Sequence, residues 1–412
     1  MGAIAQAGLT QTSPQAEPMP RRANYNVALA YLRTFVVLNV IGFHAALPYV
    51  PGLPMRMASL TSNPRWWKGS PILDDRRWAG FMVYREFNDI YFMALLFFLS
   101  GLFVWKSLQR KGAWAFARDR MLRLGVPFLF GVAIAPLAFY PAYATRVSTP
   151  GIGDFSRQWL SLGEWPTGAM WFIWVLLLFD CAAAALFALA PQFGEQLGRL
   201  ASDAHRHPMR FFLLLIVTST VAYVPALLIC GPNTWPALGC FHFQASRFFH
   251  YGIYFLMGIG VGAYGIDRGL LAADGELMRH WMLWTIAMAA PFALLMAHSM
   301  SKPLILGTLT PVAPGVVGGI LFELSCAASC FGFLALFLRF IKRGTPILDR
   351  LSKNEYEIYL LHRPFTSWLG YAMLGVSASA MEKFVLVCAA VLALSWGTSA
   401  GLRRIPAVAR IV

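Results

Sequence analysis

Residues 26–50 read NVALAYLRTFVVLNVIGFHAALPYV, and this run limits the chain more than any other. It is long and apolar enough to cross a bilayer, which takes roughly 20 mostly apolar residues in a helix. Yet it carries Arg33 and His44. A charged side chain at membrane depth costs a few kcal/mol, so it needs a partner or a purpose. Eleven residues at about 100° each return to the same helix face after three turns, roughly 16 Å further along. Arg33 and His44 are therefore expected to look into one interior at two depths.

Similar apolar runs recur along the chain. Of its 412 residues, 58% are hydrophobic and 13% charged, with a mean hydropathy of +0.57; a soluble protein carries about 25% charged residues. The expected fold is all-α, a polytopic membrane bundle of about ten transmembrane helices. A β-barrel would instead show short alternating strands. The runs lie near 25–49, 88–108, 123–144, 168–190, 211–230, 248–266, 280–299, 313–340, 355–375 and 383–402, with Pro136, Pro225 and Pro291 inside them as kink sites. Residues 1–23 are expected to be a disordered cytoplasmic tail, 24–404 one membrane domain and 405–412 a second cytoplasmic tail. The first apolar run starts late and is too long for a cleaved signal peptide. The six cysteines have neither a disulfide framework nor metal spacing.

Lys and Arg follow the loops. Lys106, Arg110, Lys111, Arg118, Arg120 and Arg123 follow the second run; Arg339, Lys342, Arg343, Arg350 and Lys353 follow the eighth; Arg403, Arg404 and Arg410 end the chain. The alternate loops are poor in both, so the positive-inside rule puts both termini in the cytoplasm. The net charge of +15 then reflects topology, and nucleic acid is not an expected partner. One loop disagrees. Residues 51–87 hold Arg56, Arg65, Lys68, Arg76, Arg77 and Arg85 on the side counted as outer. Either an outer loop meets an anionic ligand or a span is miscounted.

The chemistry-bearing residues fall at two levels. Toward the inner end, Arg118, Arg120 and Arg123 stand in FARDRMLRLGVPF, and Arg120 and Arg123 share a helix face. Guanidinium forks suit phosphate oxygens. Tyr359 and His362 share a face of the ninth span, with Arg363 next. Toward the outer end stand His44, Glu323, Arg247 and His250, with Asp180 inside the fourth span. An unperturbed imidazole titrates near pH 6.5, which makes His44 the best acid–base group. Either Glu323 or Asp180 could orient it, as a carboxylate orients the base of a hydrolytic triad.

At these residues the chain resembles the membrane-bound acyltransferase 3 family. The features are YLRTFVVLNVIGFHAALPY with Arg33 and His44, FFLSGLFV at 97–104, RMLRLGVPF at 120–128, MWFIWVLLLF at 170–179 and YEIYLLHRPF at 356–365. Many members have an acidic residue three positions before the first arginine; here that place is Ala30. The style is closest to the branch that includes the osmoregulated periplasmic glucan succinyltransferase. The resemblance implies a multi-pass enzyme of the bacterial inner membrane. It would move an acetyl or succinyl group from cytoplasmic acyl-CoA, a donor substrate rather than a bound cofactor, to a hydroxyl of a periplasmic or surface glycan. The roles carried over are catalysis by Arg33 and His44 and acyl-CoA handling by Arg120 and Arg123. Glu323 would assist His44; Arg118, Tyr359, His362 and Arg247 would line substrate, Arg247 as the extra cation for a succinyl group. Two other readings fit a polar bundle interior: a transporter of a glycan or lipid-linked sugar, and a structural subunit that recruits glycan-synthesis proteins.

Overall fold

The computed structural model describes residues 27–52, 59–63, 65–300 and 312–409. The 1–23 tail, Arg56, most of the 300–312 loop and the last three residues lie outside these. The described chain is almost wholly helical: α1 (Val27–Ala46), α2 (Ala79–Gly101), α3 (Val104–Lys111), α4 (Ala113–Arg120), α5 (Val126–Ala144), α6 (Ile152–Leu160), α7 (Trp171–Leu189), α8 (Phe193–Ser202), α9 (Pro208–Cys230), α10 (Phe248–Tyr264), α11 (Glu276–Arg279), α12 (Trp281–Met300), α13 (Val312–Phe340), α14 (Pro346–Ala372), α15 (Ala380–Leu402) and α16 (Pro406–Ala409). A two-stranded hairpin, β1 (Ala237–Leu238) and β2 (Phe241–His242), precedes α10.

Among the described residues, eight helical segments are long and apolar enough to cross a membrane, or nine if the bent pair around α10 and α11 counts as one span. The sequence count near ten includes α14, which falls short of that apolarity. Its 27 residues include Asp349, Arg350, Lys353, Glu355, Glu357, His362 and Arg363. Hydropathy marked only its last part, because its first two turns are charged. Likewise α2 starts at Ala79 rather than near 88, since Arg85, Glu86 and Asp89 continue the helix while lowering its hydropathy.

Despite its charges, α14 lies against α1 along its length. Tyr31 Oη donates to Asp349 Oδ1 at 2.7 Å, Thr34 Oγ1 donates to Glu355 Oε2 at 2.6 Å, and Arg363 Nη1 donates to His44 Nδ1 at 2.9 Å. The partners stand 318, 321 and 319 positions apart in sequence, a nearly constant offset. Two helices that keep such an offset over three rungs are parallel and side by side. Polar side chains on one thus answer polar side chains on the other, as burial in a bundle requires.

The centre of the bundle is built on α2 and α13, the most enclosed of the apolar helices, while α12 and α15 present most of their surface outward. Close approach of α2 to α10 depends on glycine. A Cβ on Gly262 would stand 1.9 Å from the Leu102 carbonyl oxygen, one on Gly258 2.2 Å from that of Phe98, and one on Gly101 2.3 Å from that of Phe255. Gly258 and Gly262 are one turn apart, the small-xxx-small spacing that lets helix backbones touch.

The loop segments sort to two ends. At the His44 end, the backbone N–H of Asp74 donates to the Pro48 carbonyl at 2.9 Å, and Lys383 pairs with Asp74 at 2.7 Å with both buried. Arg65 and Lys68 pair with Glu164, and the Trp165 N–H donates to the Gly239 carbonyl at 3.0 Å. Residues 65–78 therefore meet the Glu164 loop and Lys383, and the Glu164 loop in turn meets the hairpin, all at the His44 end of the bundle. Two cations of this stretch, Arg65 and Lys68, are answered by Glu164, Arg77 donates to the Asp74 carbonyl at 3.2 Å, and Arg85 on α2 pairs with the adjacent Glu86. At the opposite end, Lys111 meets Asp119 at 2.6 Å and Arg403 pairs with Glu357.

Gly262→Leu is expected to destabilise the bundle by about 3 kcal/mol or more, because the clash is with backbone that cannot rotate away. Gly397→Ala on α15, where an added Cβ meets nothing within 4 Å, is expected to be neutral. Thermal unfolding in detergent followed by size exclusion compares the two; equal midpoints would refute the glycine contact.

Candidate active site

His44 sits in the last turn of α1, just before the chain bends through a single 3-10 turn, Leu47–Tyr49, with Pro48 in it. Arg363, 4% exposed, reaches across from α14. Its Nη1 lies 2.9 Å from His44 Nδ1, while Nη2 donates to the Gly69 carbonyl at 2.6 Å and to that of Lys68 at 3.3 Å. A guanidinium has only donors to offer, so His44 Nδ1 must accept. The imidazole is then neutral, with its proton on Nε2. Beneath it lies the ring of His362, stacked at 5.3 Å between centroids with 29° between planes. His362 is fully buried; its Nδ1 faces the Tyr359 carbonyl of its own helix, and Tyr359 in turn donates its hydroxyl to the Ala169 carbonyl. The shared face expected for Tyr359 and His362 is present, with their rings 5.5 Å apart.

The expectation that a carboxylate orients His44 is not met. Glu323 lies 2.6 Å from His250 Nδ1, and Asp180 lies 3.2 Å from Arg120 Nε. Each is paired with a basic side chain other than His44, because an unpaired carboxylate in an apolar interior is costly. His250 also has the Cys326 thiol 3.9 Å from its Nε2. All three groups are fully buried and stand apart from His44 and its partner, so Glu323 belongs to a separate internal pair. Arg247 is held too: Asp89 takes its Nη2 at 2.7 Å and, through its carbonyl, its Nη1 at 2.9 Å, with the Phe322 ring 4.7 Å beneath. The extra cation that a succinyl group would use is thus engaged by a carboxylate.

The second level lies on the same two helices, about three turns from the first. Arg33 pairs with Glu355, which also accepts from Thr34. Arg33 is half-exposed while Glu355 is buried. Ala30 supplies no acid to this arginine, but α14 does. One residue on, the Tyr356 hydroxyl donates to the Arg123 carbonyl at 2.7 Å and so ties α14 to the basic segment. That segment is irregular. Between α4 and α5 the chain makes a π-helical turn, Met121–Gly125, a form that recurs at functional sites. Arg118 and Arg123 are exposed, whereas Arg120 points inward to Asp180 and over the Phe116 ring at 4.9 Å. The pair at 120 and 123 therefore divides, one guanidinium anchoring the segment and the other facing out.

The structure brings His44, His362, Tyr359 and Arg33 onto the α1–α14 pair, with the 118–123 arginines at its Arg33 end. It leaves Glu323 and Arg247 in internal pairs elsewhere. Sequence reasoning missed Arg363 as a site residue, and Glu355, Gly69 and Glu164 altogether. Glu355 had a signal in the sequence: it is an acid one position before the YEIYLLHRPF run, at the start of a predicted span. Nothing in the sequence joined Gly69 or Glu164 to α14, because those contacts are made by carbonyls and loop packing.

No curated protein and no solved structure matches the chain. The family described as "Acyltransferase domain" matches residues 26–400, which takes in α1 with its Arg33 and His44, the 118–123 arginines and α14. With more than nine-tenths of its length inside that match, the chain belongs to the acyltransferase 3 family of membrane acyltransferases.

Proposed function

We propose that the protein moves an acetyl or succinyl group from cytoplasmic acyl-CoA to a hydroxyl of a periplasmic or surface glycan, across the bacterial inner membrane. One observation carries this reading. Two parallel helices hold an arginine level and an imidazole level on one seam, and the imidazole has a guanidinium, not a carboxylate, on its accepting nitrogen. CoA phosphates bind the exposed Arg118 and Arg123 and the edge of Arg120. Arg33, half-exposed beside Glu355, stands between that mouth and His44 and meets the pantetheine arm.

At rest Arg363 covers the lone pair of His44 Nδ1. In the proposed step the acceptor hydroxyl takes that place, and Nη1 turns to the thioester oxygen while Nη2 stays on Gly69. His44 Nδ1 removes the hydroxyl proton as the oxygen attacks the carbonyl carbon. The guanidinium stabilises the oxyanion, a contribution that grows where water is excluded. The C–S bond then breaks, the ester is released, and the proton passes from His44 to the CoA thiolate, giving free CoA. His362 and Tyr359 hold the ring in plane and touch no reacting atom. The imidazole could instead carry the acyl group itself, and the order of kinetics tells the two routes apart.

His44→Ala is expected to lower acyl transfer at least 100-fold in protein that purifies and unfolds like wild type, read as CoA release with an acceptor glycan and as the acyl mass increment on that glycan. Intersecting initial-rate plots fit the base role and parallel plots an acyl-imidazole. CoA release at the wild-type rate from folded His44→Ala would refute the mechanism, and wild-type protein that releases none with any acyl-CoA would leave the transport reading.

Arg363→Lys keeps the charge but loses the fork. It is expected to lower kcat about 10- to 100-fold and leave the KM for acyl-CoA near wild type, because the guanidinium acts at the transferring carbonyl. Arg33→Ala should instead raise that KM. A reversed pattern would exchange the roles given to the two levels.

A further inference from the structure

Arg363 is held from outside α14 by the carbonyls of Lys68 and Gly69, so whatever fixes that loop fixes the guanidinium. The charged side of the loop is gathered by one carboxylate. Glu164, between α6 and α7, takes both Arg65 and Lys68 on the same oxygen, Oε1, and its Oε2 lies 3.9 Å from Nδ1 of His242 in the hairpin. Arg65 also donates to the Leu162 carbonyl at 3.3 Å. The apolar side of the same stretch is the fully buried Trp67, whose indole N–H donates to the Leu60 carbonyl at 3.0 Å. Its ring lies 5.3 Å from that of Phe139, which also sits under the Arg363 guanidinium at 6.0 Å. Three loops that are remote in sequence thus meet at one acid, and the chain from that acid to the imidazole is unbroken: Glu164, the side chains of Arg65 and Lys68, the carbonyls of Lys68 and Gly69, Arg363, His44.

We propose that Glu164 is a positioning residue for the acyl-transfer site: it latches the 65–69 loop so that Arg363 stays anchored by one nitrogen while its other nitrogen exchanges His44 for substrate. The inference rests on the reading of His44 and Arg363 as the reacting centre. A loosened loop lets the whole guanidinium leave, which withdraws the oxyanion donor without touching the arginines at the opposite end.

Charge accounts for the latch. Burial would raise the Glu164 carboxyl, but Lys68 and then Arg65 outweigh it and leave the group below the ordinary glutamate range. Burial, helped by Lys68, keeps His242 below the ordinary histidine range even with Glu164 nearby. At neutral pH the cluster is therefore two cations, one carboxylate and a neutral imidazole. Because the Glu164 value is depressed, its contribution is complete above the ordinary glutamate range and is lost only as pH falls through the depressed value.

The test is Glu164→Gln, with Glu164→Asp as the conservative variant, in full-length protein in detergent. Two readouts are taken: amide hydrogen exchange of residues 65–70, and steady-state kinetics with an acyl-CoA and a glycan acceptor. Expected for Glu164→Gln are exchange at least 10-fold faster in that segment and a kcat at least 10-fold lower with the KM for acyl-CoA unchanged; Glu164→Asp should fall between it and wild type in both. Exchange is also measured in a His44→Ala background, where the latch must still respond to Glu164→Gln. Unchanged exchange in 65–70 would overturn the latch. Faster exchange with wild-type kcat, or a change confined to KM, would overturn the positioning role. Wild-type transfer by His44→Ala alone would instead remove the site reading beneath it.

Discussion

The register of α1 on α14 governs the rest of the structure. A helix that carries five acids or bases in its first twelve residues, then a histidine and an arginine, is a poor membrane span by itself. Moving even one such charge to bilayer depth without a partner costs a few kcal/mol. Here Asp349 meets Tyr31, Glu355 meets Arg33 and Thr34, Glu357 meets Arg403, and Arg363 meets His44 and two loop carbonyls. Most of these partners come from α1. Because side chains on a helix recur along one face at three and four residues, satisfying one rung brings the next into reach. A slip of one turn along the seam would leave the buried Glu355 and Arg363 without their α1 partners together, so the electrostatics set the register as well as tolerate it.

That seam also links the two levels of the candidate site. Arg33 and His44 lie on one rigid helix, and Glu355 and Arg363 on another parallel to it. Their separation is therefore fixed by helix rise, about 1.5 Å per residue, and not by loops. The proposed reaction, with reagents that arrive from opposite membrane faces, needs such a fixed interval, since the proposed donor arm has a set length. The loops enter only at the ends. The π-turn after Arg120 turns Arg123 outward at one end, and the 65–69 loop caps Arg363 at the other.

Much of this was legible in the sequence. The apolar runs gave the all-helical membrane fold, and the eleven-residue interval between Arg33 and His44 gave a shared face, which is the face on α14. The Arg120–Arg123 spacing and the YEIYLLHRPF run marked the other contributors. What sequence pattern does not carry is which buried charge finds which. Glu323 and Asp180 were candidates to orient His44 because any buried carboxylate could be; in space, His250 and Arg120 are nearer and take them. The cations of residues 51–87 read as an excess that an anionic ligand or a miscounted span would explain, because the acid that answers two of them, Glu164, is almost a hundred residues away. Hydropathy placed the start of α14 two turns late, since a helix stabilised by ion pairs has no apolar signal there.

The polarity of the partner on His44 bears on the type of reaction. In a hydrolytic triad a carboxylate holds the imidazole because the ring must become a stable cation and then protonate a poor leaving group, an amine. A thioester makes the opposite demand. Its leaving group is a thiolate, whose conjugate acid has a pKa of about 8.5, so it departs without strong protonation. The greater burden is the negative charge on the carbonyl oxygen in a site from which water is largely excluded. In the proposed reaction a guanidinium beside the imidazole answers that burden directly, and it keeps the ring neutral at rest, hence able to accept a proton. A carboxylate in the place of Arg363 would favour the imidazolium at rest and put a negative charge next to the developing oxyanion. The cation on His44 Nδ1 therefore suits acyl transfer from a thioester better than hydrolysis of an amide.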